Sequence, residues 1–353
     1  MSKVGIGVIG AGNISEMHVG AYKQRDDVEL VAIADQVPER AAEKAQLHGF
    51  AHSYGSVEEL LARDDIDAVS ICTWNNSHAS IAMQALRAGK HVLGEKPLCK
   101  TVDEALELEQ VVAETGKHFE LGQVRRYGQN ATVLKKFIDE GDLGDIHYAK
   151  ASMLRRAGNP GGWFADPERS GGGPLIDIGV HCIDLAWWLM GKPKVTSISA
   201  NSYSTIGNRA NVTGLDRWLA SDYDPAINGV EDLVNAVIRF ENGASIVADV
   251  SYSLHIPRET TLVAVYGNKG GAELEPALKL VTEKYDTILN IDPQIQHPSF
   301  DFASFSKEIG HFVELVKGEA EPFVPVSDGV EMIRILRGIY ESAEAGKEIQ
   351  ITR

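Results

Sequence analysis

The sequence predicts an α/β protein. An N-terminal, Rossmann-type doubly wound parallel sheet is followed by a C-terminal α/β domain with a large open sheet, mainly antiparallel or mixed. Three observations predict it. The first third of the chain alternates short apolar runs with helical patterns, as βαβ units do. A glycine turn lies where the first of those units needs one. After residue 123, strand-like runs succeed one another with few helices between them, which suits antiparallel pairing. A chain of 353 residues has room for about two domains. The change of pattern sets them at 1–123 and 124–353.

Taken in order, "KVGIGVI" reads as a strand, residues 13–25 as a helix and "VELVAIAD" as a second strand. "PERAAEKAQLHG" is a helix with Pro38 in its first turn and Gly49 at its end. "SVEELLAR" opens on a capping box, Ser56 to Glu59. "DAVSICT" is a buried strand, "SHASIAMQALRAG" a helix closed by Gly89, and "HVLGE" a strand. A second capping box, Thr101 to Glu104, starts "TVDEALELEQVVAETG", and "HFELG" closes the domain. Beyond it the strands are "IHYAKASML", "VTSISANSY", "DLVNAVIRF", "ASIVADVSYSL" and "TTLVAVYG". Helices are expected at 130–140, 174–190, 302–318 and 327–346. The stretch 205–228, rich in Asn, Asp and Gly, is expected as a long loop.

Composition narrows the partners. A formal net charge of −16 argues against a broad surface for nucleic acid or anionic lipid. Cys72, Cys99 and Cys182 are scattered and lack C-x-x-C spacing, which reads as reduced thiols in a cytoplasmic protein. No apolar run approaches the length of a membrane span, and no signal peptide opens the chain.

The opening "VGIGVIGAGNIS" contains two overlapping glycine patterns. A complete G-x-G-x-x-G occupies Gly5, Gly7 and Gly10; an incomplete one occupies Gly10, Gly12 and Ser15. A dinucleotide turn must follow a strand and open a helix. The first register leaves only "MSKV" for the strand and fails. The second has "KVGIGVI" before it and "NISEMHVGAYKQ" after it. Gly10 then makes the tight turn, Gly12 admits the pyrophosphate, and Asn13 and Ile14 begin the helix whose N-terminus receives it. Asp35 ends the second strand 20 residues past Ser15, where an acidic side chain binds ribose hydroxyls. Gln36 follows, with no arginine beside it, so NAD is favoured over NADP.

Two further groups carry chemistry. "GEKPLC" places Glu95, Lys96 and Pro97 at a strand end, where open α/β sheets bind ligands. In "GGGPLIDIGVHCIDLAWWLMG", Asp177, His181 and Asp184 share one face of a helix at about 100° per residue. A carboxylate one turn from a histidine fixes its tautomer and raises its basicity, as acid–base catalysis requires. A core histidine satisfied by an aspartate has the same spacing. A zinc site lacks H-E-x-x-H spacing, and no metal is expected.

Together "GVIGAGNIS", "ICTWNNSHASIAMQALRAGKHVLGEKPL", "GGGPLIDIGVHCID" and "SDGVEMIRILRGIYESAEAGK" resemble the Gfo/Idh/MocA family, named for glucose–fructose oxidoreductase and inositol dehydrogenase, over essentially the whole chain. The resemblance implies a Rossmann domain and a second domain whose open sheet packs on another subunit, giving homodimers or homotetramers. It implies Lys96 as the group that hydrogen-bonds the reacting hydroxyl, His181 as general base and Asp177 as the carboxylate that tunes it. "TWNNSH" matches a T-P-N-x-x-H element lining the cofactor, which assigns Thr73, Trp74, Asn75 and His78 to that site beside Glu95 and Lys96; Trp74 replaces the usual proline. Gln123 is placed near the nicotinamide.

The implied activity is an NAD-dependent oxidoreductase acting on a secondary alcohol of a sugar, inositol or related cyclic polyol. An NAD-dependent glycosidase working through transient oxidation and a non-catalytic NAD-sensing regulator use the same fold. The glycine-rich "LRRAGNPGGWFADPERSGGG" carries Arg155, Arg156, Trp163 and Arg169; Arg156 and Trp163 are candidates for sugar contact beside Asp177 and His181, under a loop able to close over substrate.

Overall fold

The computed structural model describes residues 3–215, 217–220, 222–296 and 301–352. They pack as two compact units, one of residues 3–127 with 301–333 and one of 128–296 with 334–352. A single cut after residue 123 does not describe this packing: the first unit reaches Tyr127 and takes in a late segment of the chain.

In the first unit β1 (Val4–Ile9), β2 (Val28–Ala34), β3 (His52–Tyr54), β4 (Ala68–Ile71), β5 (His91–Glu95) and β6 (Phe119–Gly122) form one parallel sheet in the order β3-β2-β1-β4-β5-β6. The crossovers contain α1 (Asn13–Tyr22), α2 (Pro38–His48), α3 (Val57–Leu61), α4 (His78–Arg87) and α5 (Val102–Thr115). Strand order reverses between β1 and β4, which opens the crevice where such sheets bind ligands. β1 is buried throughout, and a Cβ on Gly5 would collide with the Asp65 carbonyl oxygen. The glycines at 5 and 7 therefore serve strand packing, and the complete-looking motif is a coincidence of register.

The second unit begins with α6 (Gln129–Asp139). Its sheet has nine strands: β7 (Ile146–Leu154), β8 (Val195–Tyr203), β9 (Leu233–Phe240), β10 (Ser245–Ser251), β11 (Thr260–Gly267), β12 (Gly270–Glu273), β13 (Lys279–Lys284), β14 (Thr287–Ile291) and β15 (Ile349–Gln350). Their order is β14-β13-β12-β11-β7-β10-β9-β8-β15. Only β7 with β10 is parallel, so the sheet is mixed and mainly antiparallel. Along β9 buried residues alternate with half-exposed ones, the pattern of a sheet with one covered and one open face. A short α7 (Pro167–Ser170) precedes a π turn, Leu175–Gly179, that runs into the wholly buried α8 (Val180–Leu189). A continuous α-helix over 174–190 was expected; its first turn is π instead. The described residues of 205–228 form no helix or strand.

α9 (Phe302–Val316) returns to the first unit. Its Ile309, Phe312, Val313 and Leu315 join Val8, Val19, Tyr22 and Ile33 in one buried apolar cluster. α10 (Val326–Ala345) is divided, its residues through Ile333 belonging to the first unit and those from Arg334 to the second. The buried Arg126 guanidinium donates to Asp328 at 2.7 Å, which ties the end of β6 to α10 within the first unit.

Glu120 on β6 is fully buried and accepts from Val324 N–H (2.8 Å), Phe323 N–H (3.1 Å) and the Tyr127 hydroxyl (3.0 Å). Burial dominates and pushes its carboxyl up to about 7 from an ordinary value of 4.5. The folded chain therefore holds this proton more tightly than the unfolded one. Stability falls as pH rises from about 4.5 through about 7, then levels off. Relative to Glu120→Gln, the wild type should lose at most roughly 3 kcal/mol across that window. Thermal melts of both proteins at pH 5 and pH 8 check this; parallel melting curves would contradict it. No described helix is long and apolar enough to cross a membrane.

Candidate active site

In the first unit four neighbouring strands, β1, β4, β5 and β6, end on the residues singled out by sequence. Gly10 follows β1 with φ +96, and a Cβ there would lie 2.5 Å from the Cys72 carbonyl oxygen and 2.7 Å from its carbon. Only glycine fits a left-handed position pressed against backbone. Gly12 is different. It opens α1 at φ −80 without a side-chain cap, and a Cβ built on it meets nothing within 4 Å. The N–H groups of Asn13 and Ile14 thus begin a helix beside the open space at Gly12, an arrangement suited to a diphosphate. Ser15 is buried, its hydroxyl donating to the Gly12 carbonyl at 2.6 Å, so the third motif position keeps α1 close to the sheet.

Asp35 stands one residue past β2 and is tied to this turn. Its Oδ2 accepts the Ala11 N–H at 2.8 Å, and its Oδ1 accepts the Val37 N–H at 2.8 Å. Arg40, from the first turn of α2, reaches the same Oδ1 at 3.2 Å. The expectation that no arginine lies beside Asp35 is therefore corrected. Inspection of chain neighbours missed it because α2 brings residue 40 back by one turn.

After β4, Trp74 is exposed and Asn75 is buried at the start of a 3₁₀ turn, Asn75–Ser77. The Ser77 hydroxyl donates to Thr73 Oγ1 at 2.8 Å. His78 is buried, with Nδ1 2.7 Å from the Pro97 carbonyl oxygen and Nε2 3.1 Å from that of Thr73. Burial lowers its pKa, so one nitrogen of a neutral ring donates, and the shorter contact identifies Nδ1. Through its Nδ1–H, His78 fastens the start of α4 to the carbonyl of Pro97 in the E-K-P turn.

Glu95 ends β5, buried, with Oε1 2.8 Å from His18 Nε2 and Oε2 accepting the Lys96 N–H at 3.2 Å. His18 Nδ1 meets Ser70 Oγ at 3.2 Å, which also bonds the Tyr22 hydroxyl at 2.8 Å. Burial opposes charge on both groups, yet Glu95 lies below its ordinary value beside His18, and His18 lies above its own beside Cys72 and, after it, Glu95. We read the pair as imidazolium and carboxylate. Glu95 therefore supports the turn that presents Lys96 from beneath. His18 was missed in the sequence, although a histidine on the apolar face of α1, beside Ser15, Val19 and Tyr22, was a visible anomaly. Lys96 itself is half-buried at the strand end.

Gln123 follows β6 and is 1% exposed, with neither side-chain amide atom hydrogen-bonded. Such a group is stable only where a ligand or water completes it. This orphaned amide and the open cradle at Gly12 both fit a dinucleotide laid across the strand ends. Gly10, Gly12, Asn13, Ile14, Asp35, Thr73, Asn75, Lys96 and Gln123 would hold it.

In the second unit Asp177 lies in the π turn and His181 in the first turn of α8, nearly buried. The Tyr252 hydroxyl donates to Asp177 Oδ2 at 2.7 Å. Burial and the Asp177 carboxylate push the Tyr252 phenol well up, which keeps it a donor. Asp184 is buried within α8. Arg156 Nη1 donates to the Pro257 carbonyl at 2.6 Å and its backbone N–H to Glu259. Arg155 is the arginine whose charge bears on Tyr252. The Trp163 ring lies against that of Phe164, tilted by 31° with centroids 3.9 Å apart. The glycine-rich loop, read as able to close over substrate, is hydrogen-bonded to 205–228. Ala220 N–H donates to Pro160 O (2.9 Å), Trp163 N–H to Asp222 Oδ2 (3.1 Å) and Arg217 Nη1 to Ala157 O (2.6 Å). Among the described residues no cluster of three or more His, Cys, Asp or Glu is placed to hold a metal ion.

Comparison with known proteins shows the family and the fold. Residues 4–123 match the model of an oxidoreductase family with an NAD-binding Rossmann fold (GFO_IDH_MocA), and residues 132–273 match the GFO/IDH/MocA C-terminal domain. D-glucoside 3-dehydrogenase of Escherichia coli (strain K12) is 31% identical over 99% of this chain and 98% of its own. Inositol 2-dehydrogenase of Rhizobium meliloti (strain 1021) is 25% identical over 99% of both chains. Among solved structures, levoglucosan dehydrogenase in complex with NADH and L-sorbose superposes with a TM-score of 0.84 at 24% identity, covering 100% of both chains. An oxidoreductase domain protein from Kribbella flavida gives 0.87 at 24%, also over 100% of both. At these identities the structural likeness concerns the fold.

Proposed function

We propose that this chain, which belongs to the Gfo/Idh/MocA family of oxidoreductases with an NAD-binding Rossmann fold, oxidises a secondary alcohol of a sugar, inositol or related cyclic polyol with NAD. It is an enzyme of the sugar and polyol dehydrogenase type. The observation that carries the finer reading is the row of Gly10, Asn75, Lys96 and Gln123 at the ends of adjacent strands, beside an uncapped helix start. The first unit then binds the cofactor, and the second supplies the base and the substrate contacts.

A nicotinamide dinucleotide held by Gly10, Gly12, Asp35, Asn75 and Gln123 would supply the acceptor for the hydride lost from the alcohol carbon. The chain handles the proton and the charge. His181 takes the hydroxyl proton on an imidazole nitrogen, and Asp177, held by Tyr252, stabilises the imidazolium that forms. Lys96 hydrogen-bonds the same oxygen and stabilises its developing negative charge. The substrate loses one proton and one hydride, and a ketone results. The open face of the nine-stranded sheet takes a second copy of the chain in a dimer or tetramer, a state that sedimentation measures.

A panel of glucosides, aldoses, anhydrosugars and inositols, assayed with NAD and with NADP at the nicotinamide absorbance, tests the proposal. Reduction of NAD by at least one member is expected. Tight NAD binding with no turnover on any member would refute it, and release of an aglycone without net NADH would point to transient oxidation instead. Asp35 sets cofactor choice, because its carboxylate suits ribose hydroxyls and repels a 2′-phosphate. Asp35→Ser frees Arg40 from that carboxylate, and the ratio of kcat/KM for NADP to that for NAD should rise by about tenfold or more, a change of about 1.4 kcal/mol. An unchanged ratio would remove Asp35 from that role.

A further inference from the structure

The backbone that carries Asp177 is held by a carboxylate far away in sequence. Gly173 N–H donates to Glu231 Oε2 at 2.9 Å, and Leu175 N–H donates to Glu231 Oε1 at 3.3 Å. The Tyr340 hydroxyl donates to the same Oε1 at 2.8 Å. Glu231 is buried, and burial with this contact pushes the Tyr340 phenol well up, so it remains a donor. A helix start leaves its first N–H groups without helical partners, and Pro174 gives no side-chain cap. Glu231 supplies the missing acceptors. The glycines before it follow from the same arrangement. A Cβ on Gly172 would collide with the Tyr340 hydroxyl, and one on Gly173 would lie 2.7 Å from the Glu231 carbonyl oxygen.

The turn so held is π: Val180 N–H reaches back five residues to the Leu175 carbonyl. A π turn advances less per residue than the roughly 100° of an α-helix. The offset between Asp177 and His181 therefore differs from that of a straight helix. Isolated π turns are uncommon and persist where their surroundings hold them. Tyr252 pins the Asp177 side chain, and Glu231 pins the backbone two and four residues before it, at Leu175 and Gly173.

We propose that Glu231 is a positioning residue for the reaction, fixing the π turn together with Tyr340 and thereby placing the Asp177 carboxylate relative to His181. This rests on the reading of Asp177 and His181 as the catalytic pair. Glu231→Gln keeps the size of the side chain but removes the charge and one acceptor oxygen. In the full-length protein, amide hydrogen exchange over 171–182 should accelerate while that over 3–123 stays at the wild-type rate. With the best substrate of the panel, kcat should fall about 10- to 100-fold with little change in KM. Tyr340→Phe should act in the same direction and more weakly. In an Asp177→Asn background the Glu231→Gln change should add less than about twofold, because residues acting through one group are not additive. Unchanged exchange over 171–182 overturns the proposal whatever the substrate. So does a Glu231→Gln loss that multiplies in full onto that of Asp177→Asn. Full activity of Asp177→Asn sinks the catalytic reading of Asp177 instead, so the two failures are distinguishable.

Discussion

Lys96→Met is expected to lower kcat about 10²- to 10³-fold while leaving the affinity for NAD close to that of the wild type. The argument is one of place. Lys96 leaves the sheet at the end of β5, and the turn beneath it is fixed through Glu95, His18, Ser70 and Tyr22. Methionine preserves the length and apolar stem of the side chain and loses only the ammonium, so that support should survive. The groups assigned to the diphosphate and ribose, Gly10, Gly12 and Asp35, belong to β1, α1 and the end of β2. His181→Ala should cost about 10²- to 10⁴-fold in kcat, in the range for removal of a general base. Single-turnover reduction of NAD with the best panel substrate, alongside NAD binding by fluorescence, separates the two effects. Loss of NAD binding with chemistry intact in the bound fraction would reverse the roles assigned here.

Much of the first unit was legible because its signals are local and redundant. Every strand of the parallel sheet except the polar edge strand β3, which was not read, contains a short apolar run, and Ser56 and Thr101 accept from the amides of Glu59 and Glu104 as their spacing predicts. The glycine register was readable because the turn must follow a strand. The hairpin β13–β14 was not read, and chemistry explains why. Its turn places Tyr285 and Asp286 at φ +57 and +58, positions usually marked in sequence by Asn and Gly. The π turn at Leu175–Gly179 was invisible for a different reason: what holds it is Glu231, 56 residues from Leu175. Arg40 and His18 were missed because their partners, Asp35 and Glu95, meet them only in space. The anchors of the glycine-rich loop could not be read because they lie in 205–228, a stretch without periodicity. Local pattern thus identified the parts, and long-range hydrogen bonds decided how the site residues are held.

Gly12→Ala and Gly10→Ala should separate binding from folding within a single turn. At Gly12 the backbone is extended, φ −80 and ψ −172, and a Cβ would meet no protein atom within 4 Å. Alanine is a weaker N-cap than glycine, but the loss should stay within about 1 kcal/mol, a few degrees in Tm at most. The added methyl would nevertheless fill the space in which a pyrophosphate approaches the N-terminus of α1, and NAD affinity should fall at least about tenfold, roughly 1.4 kcal/mol. At Gly10 the balance is reversed. Its φ of +96 disfavours any side chain, and the new Cβ would press on the Cys72 carbonyl group at 2.5 to 2.7 Å. Neither neighbour is a flexible side chain able to move aside, so β1 or the Cys72–Thr73 segment must shift. A destabilisation of about 2–4 kcal/mol is expected, from positive-φ strain of 1–2 kcal/mol and a comparable steric cost. Melting curves with and without saturating NAD measure both variants. Gly12→Ala should melt like the wild type alone and gain less from NAD, whereas Gly10→Ala should melt lower under either condition. If Gly12→Ala gained the full wild-type shift with NAD, the phosphate turn would not lie in the 10/12/15 register.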